Sequence, residues 1–508
     1  MNKLRKILIT LSLLLPLSMQ AQIVTEDEWD EVIDSVLTDT IMVDSVLIEG
    51  ERILPWPLYM TTRIDTMIVK RDVMKTNTLG LMIYDATADS VLYRYNDTKL
   101  MTPASNEKLI TGITAIKRLG KDYRFNTRLL YTGEIRVDTV AVLSELVVDS
   151  LTQDSVLIPF DYVTKRVLHG DVYGVGAFDP MFSGTELKVF ADKVAALQID
   201  SIAGNFYEDL SLKDTIKWGK GWCWDDSDNP TLTPLLVDKA KGFMGKLRDA
   251  LRLRNVYLGG FVGTRVCPPE AILLDEKTRT LNQILPRMMK RSDNLYAEAV
   301  FYQLGALSGR RNVTAGDSEN VINELIREIG LNPDTYRIVD GSGLSHYNRL
   351  SPELIVEYLK YARNNKDVFD VLYPTLPIAG VDGTLTNRIK DAPAYRNVRA
   401  KTGTLTGVVT LSVYVTAANG HELVFSIMLN GVKSGAVSRA FADDLCLVMA
   451  HDETKMIERK PVVVKKKQQV RRRKGKAPAK KTNASNKKKK SGNKKSTPAK
   501  KGGKKKRK

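Results

Sequence analysis

Apolar and polar positions change period several times along the chain, and each change marks an element. Leu79 to Asn96 holds two β-rich runs around Asp85-Ala-Thr-Ala-Asp89, which predicts a hairpin. Leu109, Ile113 and Ile116 then recur at helical spacing behind Pro103, which predicts a helix over Ser105 to Leu119. From about Asn126 to Leu281 the pattern becomes short β-like runs broken by Gly, Asp and Pro. Helical spacing interrupts these runs only at Glu186 to Leu197 and around Lys239 to Leu251. Helices are predicted next over Leu281 to Leu304, Ser318 to Ile329 and Ser351 to Arg363. Strands follow at Val398 to Leu405, Gly407 to Ala417 and Glu422 to Leu429, and an amphipathic helix at Ser438 to Met449 closes the body. Hairpin, helices, terminal strands and a last helix describe an α+β domain, an antiparallel sheet with helices, whose sheet draws on both ends of the body and is split by β-rich inserted domains.

The ends add compartment. Lys3, Arg5 and Lys6, the apolar run Ile7 to Leu17 and small Ala21 read as a secretory signal peptide over residues 1–21. The run falls short of the roughly 20 residues that span a bilayer. An acidic extension occupies residues 22–60, and the body is expected over 61–125 and 282–457 around an insert at 126–281. The formal net charge is +18, yet 23 Lys and Arg lie in residues 465–508 with no acid, which leaves 54 basic and 59 acidic groups in residues 1–464. The body is therefore not a basic protein, and no nucleic acid is expected as a partner of an exported chain. Residues 458–508 lack the apolar side chains that folding needs and read as a disordered Lys-rich tail. That tail either holds an anionic envelope surface or is simply solvated. Cys223 and Cys267 could pair or be small buried hydrophobes; Cys446 is left over.

Candidate chemistry begins by exclusion. His169, His346, His421 and His451 are scattered and no H-E-x-x-H occurs, so neither a metal nor another cofactor is expected, and a Ser-His-Asp triad has only His346 to draw on. Ser105 and Lys108 stand three apart at a helix start and so share a face. Lysine acts as a base only if its pKa falls, through burial and a second cation nearby. Ser292-Asp293-Asn294 precedes a helix, whereas the look-alike at Ser227 runs into Pro230. Lys401-Thr402-Gly403 opens a strongly β segment, where Gly403 would let a substrate backbone approach. Taken in order, the three match the Ser-x-x-Lys, Ser-Asp-Asn and Lys-Thr-Gly set of β-lactamases and penicillin-binding proteins.

The stretches PASNEKLITGITAIKRLG, RSDNLYAEAV, DGSGLS with YNRLSP, LPIAGVDGTL and VRAKTGTLTG closely resemble the D-alanyl-D-alanine carboxypeptidase/endopeptidase family of low-mass, class C penicillin-binding proteins. The resemblance covers roughly Leu79 to Met449 and thins through the insert. It implies a penicillin-recognising serine transpeptidase/β-lactamase-like domain in a periplasmic or envelope protein that hydrolyses peptidoglycan stem peptides and is acylated by β-lactam antibiotics. By motif, Ser105 would be the nucleophile, Lys108 its base and Ser292 the proton relay. Asn294 would hold the substrate amide, and Lys401, Thr402 and Thr404 its terminal carboxylate. The Ser105 and Thr404 N–H groups would form the oxyanion hole. Asp179, in GDVYGVGAFDP, would be a substrate contact, although Ala177 and Phe178 stand where the family has small glycines. Asp340, Gly341, Ser342, Asp382 and Gly383 read as turn and scaffold residues. A β-lactamase, or a non-catalytic envelope binder using the tail, would be the rival readings.

Overall fold

A computed structural model describes residues 47–48, 51–148, 155–226, 229–451 and 455–457. The expected signal peptide, most of the expected acidic extension and the Lys-rich tail lie outside the described residues.

The central sheet runs in the order Arg399–Leu405, Val408–Thr416, Glu422–Asn430, Thr78–Asp85, Ser90–Tyr95, antiparallel throughout. Because successive strand residues point to opposite faces, its apolar side chains sort into two cores. Met82, Tyr84, Tyr414, Val424 and Met428 face the core built by the Glu107–Leu119, Asn294–Ala306 and Pro352–Asn364 helices. Leu81, Ile83, Leu411, Val413, Phe425 and Ile427 face the other way, against Trp56–Lys70 and Gly435–Ala450. Burial on both faces explains why Val408–Thr416 reads as a nearly continuous apolar run rather than an alternation.

Two elements differ from the sequence expectation. The acidic extension stops short of residue 60, because Trp56–Lys70 is a helix started by Pro55 and held by buried Trp56, Met60, Ile64 and Ile68 at helical spacing. The single helix expected from Leu281 to Leu304 is two, Leu281–Lys290 and Asn294–Ala306. The break falls at Ser292, whose φ of 56° no helix accommodates.

Between the halves of the body lie two further sheets, ordered Val262–Thr264, Phe206–Asp209, Val172–Val175, Arg124–Tyr131, Ile272–Thr280 and Tyr257–Leu258, Ser201–Ile202, Ser155–His169, Glu134–Val148. The Gly184–Ala195 and Phe243–Arg252 helices pack on them through Phe182, Phe190, Phe243 and Leu247. Glu134–Val148 and Ser155–His169 form a long antiparallel pair within the insert. Cys223, Cys267 and Cys446 are not bonded to one another.

Candidate active site

Ser105 sits in a short 3-10 turn, Ala104–Asn106, that feeds the Glu107–Leu119 helix. Ala104 before it takes a φ of 47°, an uncommon conformation for a residue with a Cβ, and one that persists only where surrounding structure holds it. The three-residue spacing brings Lys108 Nζ to 3.0 Å from Ser105 Oγ. The same nitrogen lies 2.7 Å from Asn294 Oδ1 and 2.7 Å from the Ser342 carbonyl oxygen. Lys108 is fully buried.

Ser292 and Asn294 reach this point because the chain between the two helices is pinned. The Asp293 carboxylate accepts from Lys239 Nζ at 2.6 Å and Arg287 Nε at 2.8 Å, and these two cations hold it below its ordinary pKa against the opposing effect of burial. On the far side, Lys401 Nζ donates to Ser292 Oγ at 2.9 Å and to the Thr402 carbonyl at 2.7 Å. The structure thus gathers two hydrogen-bonded sets, Ser105–Lys108–Asn294 and Ser292–Lys401, into one group, near enough for the Lys108 charge to act on Lys401.

Charge in this group is governed by burial. Burial drives the Lys108 pKa down to about 8, opposed by the negative charges of Asp340, Glu298, Asp293 and Glu107. Lys401, also fully buried, is driven well below the ordinary lysine range, first by burial and then by the neighbouring Lys108 charge. Glu298 is raised by burial and by Asp340 to about 8, and Glu107 is raised well above its usual value for the same reasons. Neither glutamate is visible from sequence as part of the site. Glu298 Oε1 accepts from the Gly341 N–H at 3.1 Å, while both Glu107 carboxyl oxygens are buried without a partner.

The DGSG loop supplies the Ser342 carbonyl. Asp340, fully buried, accepts from the N–H groups of Gly343 and Ser345, from Asn348 Nδ2 and from Trp222 Nε1, at 2.7 to 2.8 Å. Thr111 Oγ1 donates to the Gly341 carbonyl at 2.9 Å. Asp382 makes a comparable anchor, taking Lys290 Nζ at 2.5 Å and the Ile378 N–H at 2.9 Å.

Arg399–Leu405 is an edge strand, so the outer backbone groups of Thr402 to Thr404 lack a strand partner. Thr402 Oγ1 donates to Thr384 Oγ1 at 2.7 Å, and Thr404 is exposed. A Cβ at Gly403 would stand 2.1 Å from Thr410 Oγ1 and 3.0 Å from the Ser105 nitrogen. The glycine is therefore required by the protein's own backbone, before any substrate arrives. A cavity of about 380 Å³ opens beside Ser292 and Asn294, with Lys239 and Thr231 in its wall. Asp179 is not bonded to that group. It is buried, accepts from the Met181 N–H at 2.8 Å, keeps Oδ2 without a partner, and is pushed by burial to a pKa of about 6.

A buried Ser-x-x-Lys on a helix, set between a Ser-x-Asn turn and the edge strand of an antiparallel sheet covered by helices on both faces, defines a serine hydrolase of the penicillin-recognising fold. Comparison with known proteins narrows the class. The chain belongs to the D-Ala-D-Ala carboxypeptidase 3 (S13) family, whose model matches residues 60–148, 160–239 and 235–451. Among its relatives are the D-alanyl-D-alanine carboxypeptidase DacB of Haemophilus influenzae, 25% identical over 70% of this chain and 86% of that one, and the D-alanyl-D-alanine carboxypeptidase of Actinomadura, 25% identical over 73% and 81%. The crystal structure of penicillin binding protein 4 (dacB) from Haemophilus influenzae shares the fold, with a TM-score of 0.66 and 21% identity over 76% of this chain and 99% of that one.

Proposed function

We propose that this serine-type D-Ala-D-Ala carboxypeptidase releases the terminal D-alanine of peptidoglycan stem peptides through an acyl-enzyme on Ser105. One observation carries the reading: Lys108 Nζ has three neighbours, two of them carbonyl oxygens that can only accept. A neutral amine has two N–H groups and one lone pair. With both N–H groups donated to Asn294 Oδ1 and Ser342 O, the lone pair is left for the Ser105 hydroxyl.

The sequence of steps follows. Ser105 Oγ attacks the carbonyl of the scissile bond as its proton passes to Lys108, and the oxyanion meets the Ser105 and Thr404 N–H groups. Ser292, hydrogen-bonded to Lys401, relays the proton taken up by Lys108 to the leaving amine, the C–N bond breaks to free D-alanine, and Lys108 returns to its neutral form. Water then attacks the ester, Lys108 takes its proton, and Ser105 leaves as the alcohol. Asn294 holds the substrate amide, and the substrate backbone extends the sheet along Thr402, Gly403 and Thr404. The terminal carboxylate lies against Lys401, Thr402 and Thr404. Buried without a carboxylate partner, Lys401 gains its charge most readily when that carboxylate arrives. Asp179, with one oxygen unpartnered, is a contact for the stem-peptide side chain. β-Lactams acylate the same serine.

A peptidoglycan substrate would be met in the periplasm or cell envelope, where we expect the protein to act. Among the described residues no helix is long and apolar enough to cross a membrane. Residues 465–508 would hold the enzyme near an anionic envelope surface by Coulomb attraction.

The test is the pH dependence of acylation. Lys108 works as a base only when neutral and has a pKa of about 8. The rate of penicillin acylation should therefore rise about tenfold per pH unit below that value and level off above it. A rate already flat between pH 6 and 9 would contradict lysine as the base.

A further inference from the structure

We infer that a second site, an arginine-lined groove on the insert, binds the carboxylates of stem peptides neighbouring the one held in the catalytic cleft, so that the enzyme engages a peptidoglycan strand and not a single peptide. This rests on the peptidoglycan reading above. The groove is a cavity of about 750 Å³ between the open face of the Arg124–Tyr131 strand, the C-terminal end of the Asn294–Ala306 helix and the Cys267–Ala271 loop.

Strand alternation builds its floor. Phe125, Thr127 and Leu129 point into the cores, which turns Arg124, Asn126 and Arg128 to the other face. Arg310 and Arg311, just past the helix, form the wall. Arg310 pairs with Asp317 at 3.2 Å, but the guanidiniums of Arg124, Arg128 and Arg311 have no hydrogen bond or ion pair among the described residues. Glu276 stands opposite Arg128 in the strand register and forms no ion pair with it. The one acid in the lining, Asp209, is spent internally, its oxygens accepting from the Ser211 and Cys267 N–H groups at 2.9 and 2.8 Å. Four guanidiniums thus share a concave surface with no free anion. Guanidinium is the side chain best matched to carboxylate, through paired N–H donors.

Position identifies the anion. Gln303, in the groove, lies nine residues along the helix from Asn294, about 14 Å at helical rise. Its Nε2 donates to the Ala177 carbonyl at 2.6 Å, tying the groove to the segment that leads to Asp179. A strand threaded through the cleft carries further stems at either side, and every uncleaved stem ends in a carboxylate.

The test uses the full-length chain and the variant Arg124→Gln/Arg128→Gln/Arg311→Gln. Three readouts are compared: penicillin acylation, turnover of a short D-Ala-D-Ala peptide, and binding to and turnover of uncross-linked peptidoglycan strands. Acylation and short-peptide turnover should stay within about twofold, while the affinity for strands falls about tenfold or more. A poly-glutamate competitor should reproduce that loss in the unaltered protein. Undiminished strand binding by the variant, an equal fall in all three readouts, or displacement by inorganic polyphosphate but not poly-glutamate would each overturn the inference. Failure of the unaltered protein to be acylated would instead strike the catalytic reading, because strand binding is measured independently of turnover.

Discussion

Lys108→Met should slow acylation of Ser105 by penicillin by at least about 10³-fold, within the range expected when a positioned general base is removed. Methionine follows the course of the lysine stem and leaves the helix intact, so the loss is chemical. Replacing a buried ionisable group by an apolar one removes a desolvation cost, which offsets the two acceptors, Asn294 Oδ1 and Ser342 O, left without their donor. Thermal unfolding should accordingly move by only a few degrees while activity collapses. Arginine at this position would be no rescue, because a guanidinium does not give up its proton. A Lys108→Met protein that is acylated within tenfold of the unaltered rate would place the base elsewhere.

Asp340→Ala should be damaging for a different reason. Its buried carboxylate accepts four hydrogen bonds, two of them from the backbone of its own loop, and alanine would leave the Gly343 and Ser345 N–H groups, Asn348 and Trp222 without an acceptor. Loss of such a charged hub costs on the order of 3–5 kcal/mol. The loop also aims the Ser342 carbonyl at Lys108, so acylation should fall even in the fraction that remains folded. Asp340→Asn keeps part of the network and should recover part of the stability, which a comparison of melting temperature with acylation rate per folded molecule would read. Equal stability of Asp340→Ala and the unaltered protein would contradict the role assigned to this carboxylate.

These two residues also show what a sequence discloses. Ser105 and Lys108 are legible because three residues on a helix is a contact distance, and Lys401 because a charged residue opening an apolar strand is conspicuous. Asp340 is legible only as a turn former, since nothing in DGSG tells that its carboxylate is buried and gathers Trp222 from the insert more than a hundred residues away. Glu107 and Glu298 are harder still. A glutamate in a first helical turn ordinarily complements the helix dipole in water, and one between Ala297 and Ala299 can face either way. Their burial is a tertiary fact. The break at Ser292 is only half legible: the triplet stands before a helix, yet apolar spacing continues on both sides, and the positive φ is sustained by a three-residue turn tied through Asp293 to Lys239 and Arg287. The Trp56–Lys70 helix is masked by the acidic run before it, although its buried positions keep helical spacing. The groove arginines, finally, read as ordinary alternating strand residues until the fold sets Arg310 and Arg311 beside them.

The most direct measurement is incubation of the purified protein with a fluorescent penicillin, followed by intact-mass analysis and peptide mapping, with Ser105→Ala in parallel. The account predicts one stable adduct, carried on the peptide containing Ser105 and missing from the variant. An adduct on another residue, or none on well-folded protein, would contradict it.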